Sequence, residues 1–406
     1  MLMAVYAFDL RGYHRLYSFS YWGFFVILVV VAGLRYRLGT DSIVYEGDYE
    51  TVPKLWQLTK YKFDSTRFEP GFMVFQSIPR SISSDFTLLQ FFHAIVVNLV
   101  IFWFILKNTT HRFLCLSFYF IVMYLNLNMQ VLRETLAVCC FLLAWPSFRD
   151  GKWLWYYLFV LLACTFHTSA LLLLILPLVS LPGIREGFVF GKRTFIICAL
   201  LLVLGMILQA NFKSFFTAIA LTDRMADRAQ EYSQNEYGGA RLNIVGIIYT
   251  LLHYALYPLV ALYFLHQKYS WKYTKSKKWK RLQKIQNRDY SRWEMMTLLG
   301  IYFTVLSIPI FIFNRYYNYF GIFCLATVAN WAFTKLRVNR KSYKLKFAYW
   351  IVILIPFYFL NVWDYSSGLN RSGRLKTYMI YYPYNTRLDP EMDTNREAIY
   401  RYFNAR

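Results

Sequence analysis

Charge in this 406-residue chain alternates from one connecting loop to the next. About eleven apolar segments are visible, near 20–34, 87–106, 113–125, 131–147, 153–166, 169–182, 194–210, 243–266, 295–312, 318–334 and 347–363. The N-terminus and loops 107–112, 148–152, 183–193, 267–294 and 335–346 hold 25 of the 45 lysines and arginines but only 5 of the 22 acids. Excess Lys and Arg on alternate loops marks the cytoplasmic side of a membrane protein. The pattern therefore predicts an all-α, polytopic integral membrane protein of nine to thirteen spans, N-terminus inside. It also predicts a single membrane domain over 1–363 and an external tail over 364–406.

Composition narrows the classes further. A hydrophobic fraction of 57% with 21% aromatics exceeds soluble usage. Several of the apolar runs approach the roughly 20 residues that cross a ~30 Å hydrocarbon core. Those near 113–125 and 169–182 are shorter, as expected of broken or tilted helices. The net charge of +23 concentrates in the loop from Lys268 to Arg292, where it reads as a topology signal facing anionic lipid rather than nucleic acid. The six cysteines lie in or beside apolar spans and read as small core residues, neither disulfides nor metal ligands. No cleavable leader is expected, because a polar Arg11–Arg15 segment precedes the first span.

Ionisable residues at membrane depth cost roughly 2.5–3.5 kcal/mol each, so they usually have partners or a task. Here they gather at the predicted outer boundary. The first span ends in Arg35-Tyr36-Arg37-Leu38-Gly39-Thr40-Asp41, with Tyr45 following, and the same loop holds Arg67-Phe68-Glu69-Pro70-Gly71-Phe72. Asn128-Met129-Gln130-Val131-Leu132-Arg133-Glu134 opens the fourth span, and Phe166-His167-Thr168-Ser169 closes the fifth. Arg224 follows the seventh span and Arg315 the ninth. Each has a bland alternative: Arg35 and Arg37 as snorkelling span ends, His167 as a satisfied core histidine, the aromatics after Arg315 as an interfacial belt.

Taken together, the arginines suit a phosphorylated lipid, since guanidinium binds phosphate through a planar fork of donors. Gly39 allows close backbone approach, and the amides opening the fourth span add a helix N-terminal anion site beside Arg133. His167, Glu69 or Asp41 could take a proton from an attacking sugar hydroxyl, with His167 and Glu69 ranked above Asp41. Those parts suggest glycosyl transfer from a lipid-linked donor. Arginines in that role require no metal and no cofactor, and the chain has no Asp-x-Asp motif.

The strings RYRLGTD, FEPGF, NMQVLRETLA and FHTSAL, in this order and spacing, resemble the EpsG family of Wzy-like polysaccharide polymerases over about residues 20–335. The resemblance implies a multi-pass protein of the bacterial plasma membrane. Such proteins join repeat units carried on undecaprenyl pyrophosphate at the outer face, in exopolysaccharide, capsule or O-antigen assembly. Motif match carries over Arg35, Gly39, Asp41, Glu69, Arg133, His167 and Arg315; Arg37 and Arg224 rest on charge alone. The implied partners are the lipid-linked oligosaccharide, the bilayer, and a chain-length regulator and flippase of the same pathway. A flippase for lipid-linked sugars, a ligase and a polyprenyl-phosphate-sugar transferase are the competing readings. The first should carry ionisable groups on both faces.

Overall fold

The computed structural model describes residues 1–39, 41–60, 68–181, 184, 188–210, 251–270, 277–332, 381 and 384–388. Arg224, the expected span at 347–363 and most of the tail lie outside these residues. Among the described residues the protein is helical, with one isolated antiparallel bridge between Arg35 and Thr386. The main helices are α1 (Tyr17–Gly33), α2 (Ser42–Thr51), α3 (Pro70–Ile82), α4 (Phe86–Asn108), α5 (Arg112–Tyr119), α6 (Leu132–Asp150) and α7 (Trp153–Phe166). They are followed by α8 (Lys192–Ala210), α9 (Tyr257–Ser270), α10 (Lys277–Ser307) and α11 (Asn314–Ala332).

Two helical stretches, Phe86–Asn108 and Lys192–Gln209, are long and apolar enough to cross a membrane; the other apolar helices in the described residues are shorter. The chain divides into two compact units, Met1–Leu174 with Leu336–Ala405, and Ile175–Lys335. The second unit is built on α8, α9, α10 and α11, packed around Leu262, Leu298 and Ile301. In the first unit α6 pairs with α7, α1 with α4, and α3 lies against α4 and α7.

The two short apolar segments are broken, each for a local reason. The 113–125 segment begins as α5, widens into π-helix over Phe120–Tyr124 and again over Asn126–Gln130, and breaks at Val131, whose φ of −93° and ψ of 59° leave the helical region. A break buried in apolar surroundings needs partners for its loosened carbonyls. Thr135 supplies one by donating its hydroxyl to Leu127 O at 2.8 Å, and His93 Nε2 lies 3.1 Å from Leu132 O. The 169–182 segment is a 3₁₀ helix over Thr168–Ile175, followed by one turn containing Pro177, which has no N–H to give.

Three buried side chains brace the break. Asn98 on α4 donates to Asn128 Oδ1 at 2.8 Å, and Asn128 donates to the Tyr119 hydroxyl at 2.7 Å. Removing the middle member takes a partner from the Tyr119 hydroxyl and one of two from Asn98 Nδ2, which keeps the Ala94 carbonyl at 2.8 Å; a buried polar group left unpaired costs about 1–3 kcal/mol. Asn128→Leu should therefore lower the thermal midpoint of the detergent-solubilised protein. Asn108→Leu, at a half-buried helix end, should do less. Equal midpoints would show that the chain of bonds does not hold the break.

α3 joins the first unit as an amphipathic helix. Phe72, Met73, Phe75 and Gln76 face inward, whereas Val74, Ile78 and Ile82, spaced one turn apart, stay exposed. Gln76, Ser77, Arg80 and Ser81 interrupt its apolar residues and hide this helix from a search for long apolar runs. Its importance is positional, because its first residue follows Glu69.

A candidate active site where four motifs meet

Glu69 occupies the N-cap of α3, with Pro70 at the first helical position, where its missing N–H costs nothing. Asp41 holds the same place on α2, and its carbonyl accepts the Tyr45 amide at 3.0 Å. Both carboxylates thus sit at the positive ends of helices. The broken segment before Val131 does the opposite with charge, presenting Arg133 in the first turn of α6, where the helix field opposes a cation. Glu69 compensates. Arg133 Nη1 donates to Glu69 Oε2 at 2.7 Å, with the two side chains only 21% and 10% exposed.

An aromatic wall fixes the geometry of that pair. Arg133 Nε donates to the Tyr45 hydroxyl at 3.4 Å, and its guanidinium lies 5.3 Å from the Phe68 ring centroid. Phe68 stacks on Tyr45 and meets Phe72 edge-on. All three rings are buried, so they serve as packing behind the arginine, not as a free platform for a sugar. The expected outer-face motifs are therefore in contact, Arg133 reaching both Glu69 and Tyr45.

Two glycines let the backbones close in. Gly39 has φ +95°, and a β-carbon there would stand 2.5 Å from Met129 O, so the first motif lies directly on the third. Gly71 faces Thr165 with no room for a side chain, the Thr165 carbonyl oxygen lying 2.8 Å from the position a β-carbon would take. That contact sets the second motif against the end of α7, two residues before His167. His167 itself is 6% exposed. The Ser169 amide donates to its Nδ1 at 3.1 Å, and the Ser169 hydroxyl lies 2.6 Å away. A backbone amide can only donate, so Nδ1 accepts and the neutral ring carries its proton on Nε2. His167 in that tautomer offers a donor at Nε2.

Arg35 and Arg37 go separate ways. Arg37 holds a φ of +51°, unusual for a side-chain-bearing residue, and its Nε donates to Glu46 Oε2 at 3.0 Å. It is about one-third exposed. Arg35 is 1% exposed, with Nη1 turned back on the Ala32 carbonyl at the end of α1 and Nε buried without a partner. Burial lowers its pKa to about 10, which leaves it charged at neutral pH. A cation there complements the negative end of the helix. Arg315 stands in the first turn of α11, in the second unit.

Three participants were not anticipated from the sequence: Glu46, Asp85 and Arg387. Arg387 donates to Glu46 Oε1 at 3.0 Å and to Asp85 Oδ1 at 3.4 Å. Burial works against ionisation of Asp85, but the Thr87 amide and hydroxyl and the Arg387 guanidinium outweigh it and hold its carboxyl below the usual range. No periodicity or motif marks Arg387, because it lies some 340 residues from its partner in a tail without apolar pattern.

Compared with known proteins, residues 19–404 match the EpsG family. No curated protein and no solved structure matches the chain.

Proposed function

The chain belongs to the EpsG family of Wzy-like polysaccharide polymerases, and from that footing we propose that it joins lipid-linked oligosaccharide repeat units at the outer face of a bacterial plasma membrane. The observation that carries this reading is the Arg133–Glu69 pair, a partly exposed cation and carboxylate at facing helix starts. Arg133 and Arg37 hold the pyrophosphate of an undecaprenyl-linked donor and stabilise the charge that grows on it as it leaves. The acceptor's hydroxyl oxygen attacks the anomeric carbon of the donor, the bond to the pyrophosphate breaks, and Glu69 takes the hydroxyl proton. Among the described residues Glu69 Oε1 accepts no hydrogen bond, which suits a base still paired through Oε2. Direct displacement inverts the anomeric configuration. The arginines supply the positive charge, so the step needs no metal.

His167 enters as a donor, its Nε2–H directed at the pyrophosphate or the attacking hydroxyl, because Nδ1 is already engaged by Ser169. Asp41 stands at the N-cap of α2, its backbone carbonyl accepting the Tyr45 amide, and the Tyr45 hydroxyl in turn accepts from Arg133. The product in this reading is an exopolysaccharide, capsule or O-antigen, which family membership supports.

Cells lacking the native protein test the proposal. They should accumulate single repeat units on lipid at the outer face, and the wild-type chain should restore a polymer ladder on gels. Units stalled at the inner face would support the flippase reading instead. Retained anomeric configuration in the product would remove the single-displacement step.

A further inference from the structure

The C-terminal segment Tyr384–Leu388 is fastened across the arginine loop. The Tyr36 amide donates to Asn385 O at 2.8 Å, and the Arg387 amide donates to Leu34 O at 2.9 Å, the two bonds flanking the Arg35–Thr386 bridge. The Tyr384 hydroxyl donates to Val31 O at 2.5 Å on the last turn of α1. Asn385 is buried, Thr386 is bridged to Arg35, and Tyr384 lies close enough to Arg35 to act on its charge.

The side chain of Arg387 extends this clasp to the groups around Arg37. Glu46 is shared, one oxygen taken by Arg37 and the other by Arg387, each at 3.0 Å. Both guanidiniums also lie close to the Tyr36 ring, at 5.2 and 5.1 Å from its centroid. A planar fork suits this task, since one guanidinium bridges two carboxylates on different elements, Glu46 on α2 and Asp85 at the start of α4. Arg37 has a backbone conformation that persists only when its surroundings impose it, and the tail is part of those surroundings.

We propose that Arg387 is a positioning residue for the donor site: through Glu46 and Tyr36 it fixes where Arg37 presents its guanidinium, so the tail is a working part of the active site. This rests on Arg37 holding the donor pyrophosphate, as proposed above. The tail acts through Arg37 and touches no substrate, which separates the inference from the binding residues themselves.

Two readouts test it in the full chain, neither depending on the other. Thr386→Cys, labelled in whole cells with a membrane-impermeant maleimide, reports how often the clasp opens, measured against the same protein with Thr386 intact. Adding Arg387→Gln should speed labelling about tenfold, the population change that 1.4 kcal/mol produces. Glu46→Gln should act in the same direction. The second readout is polymer formation in membranes that have accumulated lipid-linked single units, with the units titrated. Arg387→Gln should raise the donor concentration needed for half-maximal rate several-fold while leaving the maximal rate close to wild type. Arg387→Lys keeps the charge but loses the planar fork that spans the two carboxylates, and should fall between.

Unchanged labelling would overturn the clasp. Faster labelling with unchanged donor dependence would overturn the positioning role. A wild-type chain that forms no polymer would sink the polymerase reading and the positioning role with it, while the labelling would still report whether the tail is clasped.

Discussion

Arg133→Ala should abolish the polymer ladder and leave single repeat units on lipid. Two effects combine in that loss. Truncation leaves Glu69 as an uncompensated, mostly buried carboxylate, and breaking such a pair costs about 3–5 kcal/mol. In the proposed mechanism it also removes a donor from the place where leaving-group charge develops, which in enzymes that depend on such a donor costs about 10²–10³ in rate. The swap Arg133→Glu with Glu69→Arg separates the two. It restores an ion pair of the same composition between α3 and α6 and should recover protein abundance, but it places the cation and the base on the wrong helices. A swapped protein that is abundant and inactive supports a chemical role for the pair. A swapped protein that polymerises would reduce the pair to a structural brace.

Gly39→Ala should be strongly damaging although it adds only a methyl group. The left-handed φ of +95° disfavours any side chain, by about 1–3 kcal/mol for a strained backbone. The added carbon would also meet Met129 O at 2.5 Å, a backbone atom on the broken segment that cannot turn aside. Abundance in the membrane and the polymer ladder should both fall. Gly47→Ala, in the middle of α2 with open space around it, is the matched control and should be neutral or stabilise by up to about 1 kcal/mol through helix propensity. Equal behaviour of the two variants would show that the approach of the first motif to the third is unimportant.

Much of this arrangement can be read in the chain itself, and the parts that cannot share a cause. Arg133, Glu69, Gly39 and His167 stand out because charge, glycine and histidine at the ends of apolar segments violate a strong pattern. The contacts of Arg133 with Glu69 and of Gly39 with Met129 agree with the shared sidedness that loop charge predicts. Depth is not revealed by that pattern. Arg35 and Arg37 are two residues apart and look equivalent, yet one is buried and bridged to Thr386 and the other reaches Glu46. The tautomer of His167 is set by the amide two residues on, a detail of turn geometry rather than of residue type. α3 escapes notice because its apolar residues keep a helical period instead of forming a run. Arg387 escapes because long-range pairing leaves no trace in a single sequence.

The pairing of Tyr36 with Asn385 also constrains the route of the chain through the bilayer. Two backbones joined by hydrogen bonds cannot lie on opposite sides of a membrane, so in the proposed multi-pass arrangement the segment from Tyr36 to Asn385 must cross an even number of times. The sequence reading expects ten apolar segments between those points, an even number, of which 347–363 lies outside the described residues. The same bonds close the polypeptide into a ring of some 350 residues, so the first and last thirds of the chain must reach the same compartment before either can adopt its final position. In a protein made from its N-terminus onward, the arginine loop waits for the last-made segment before it is complete.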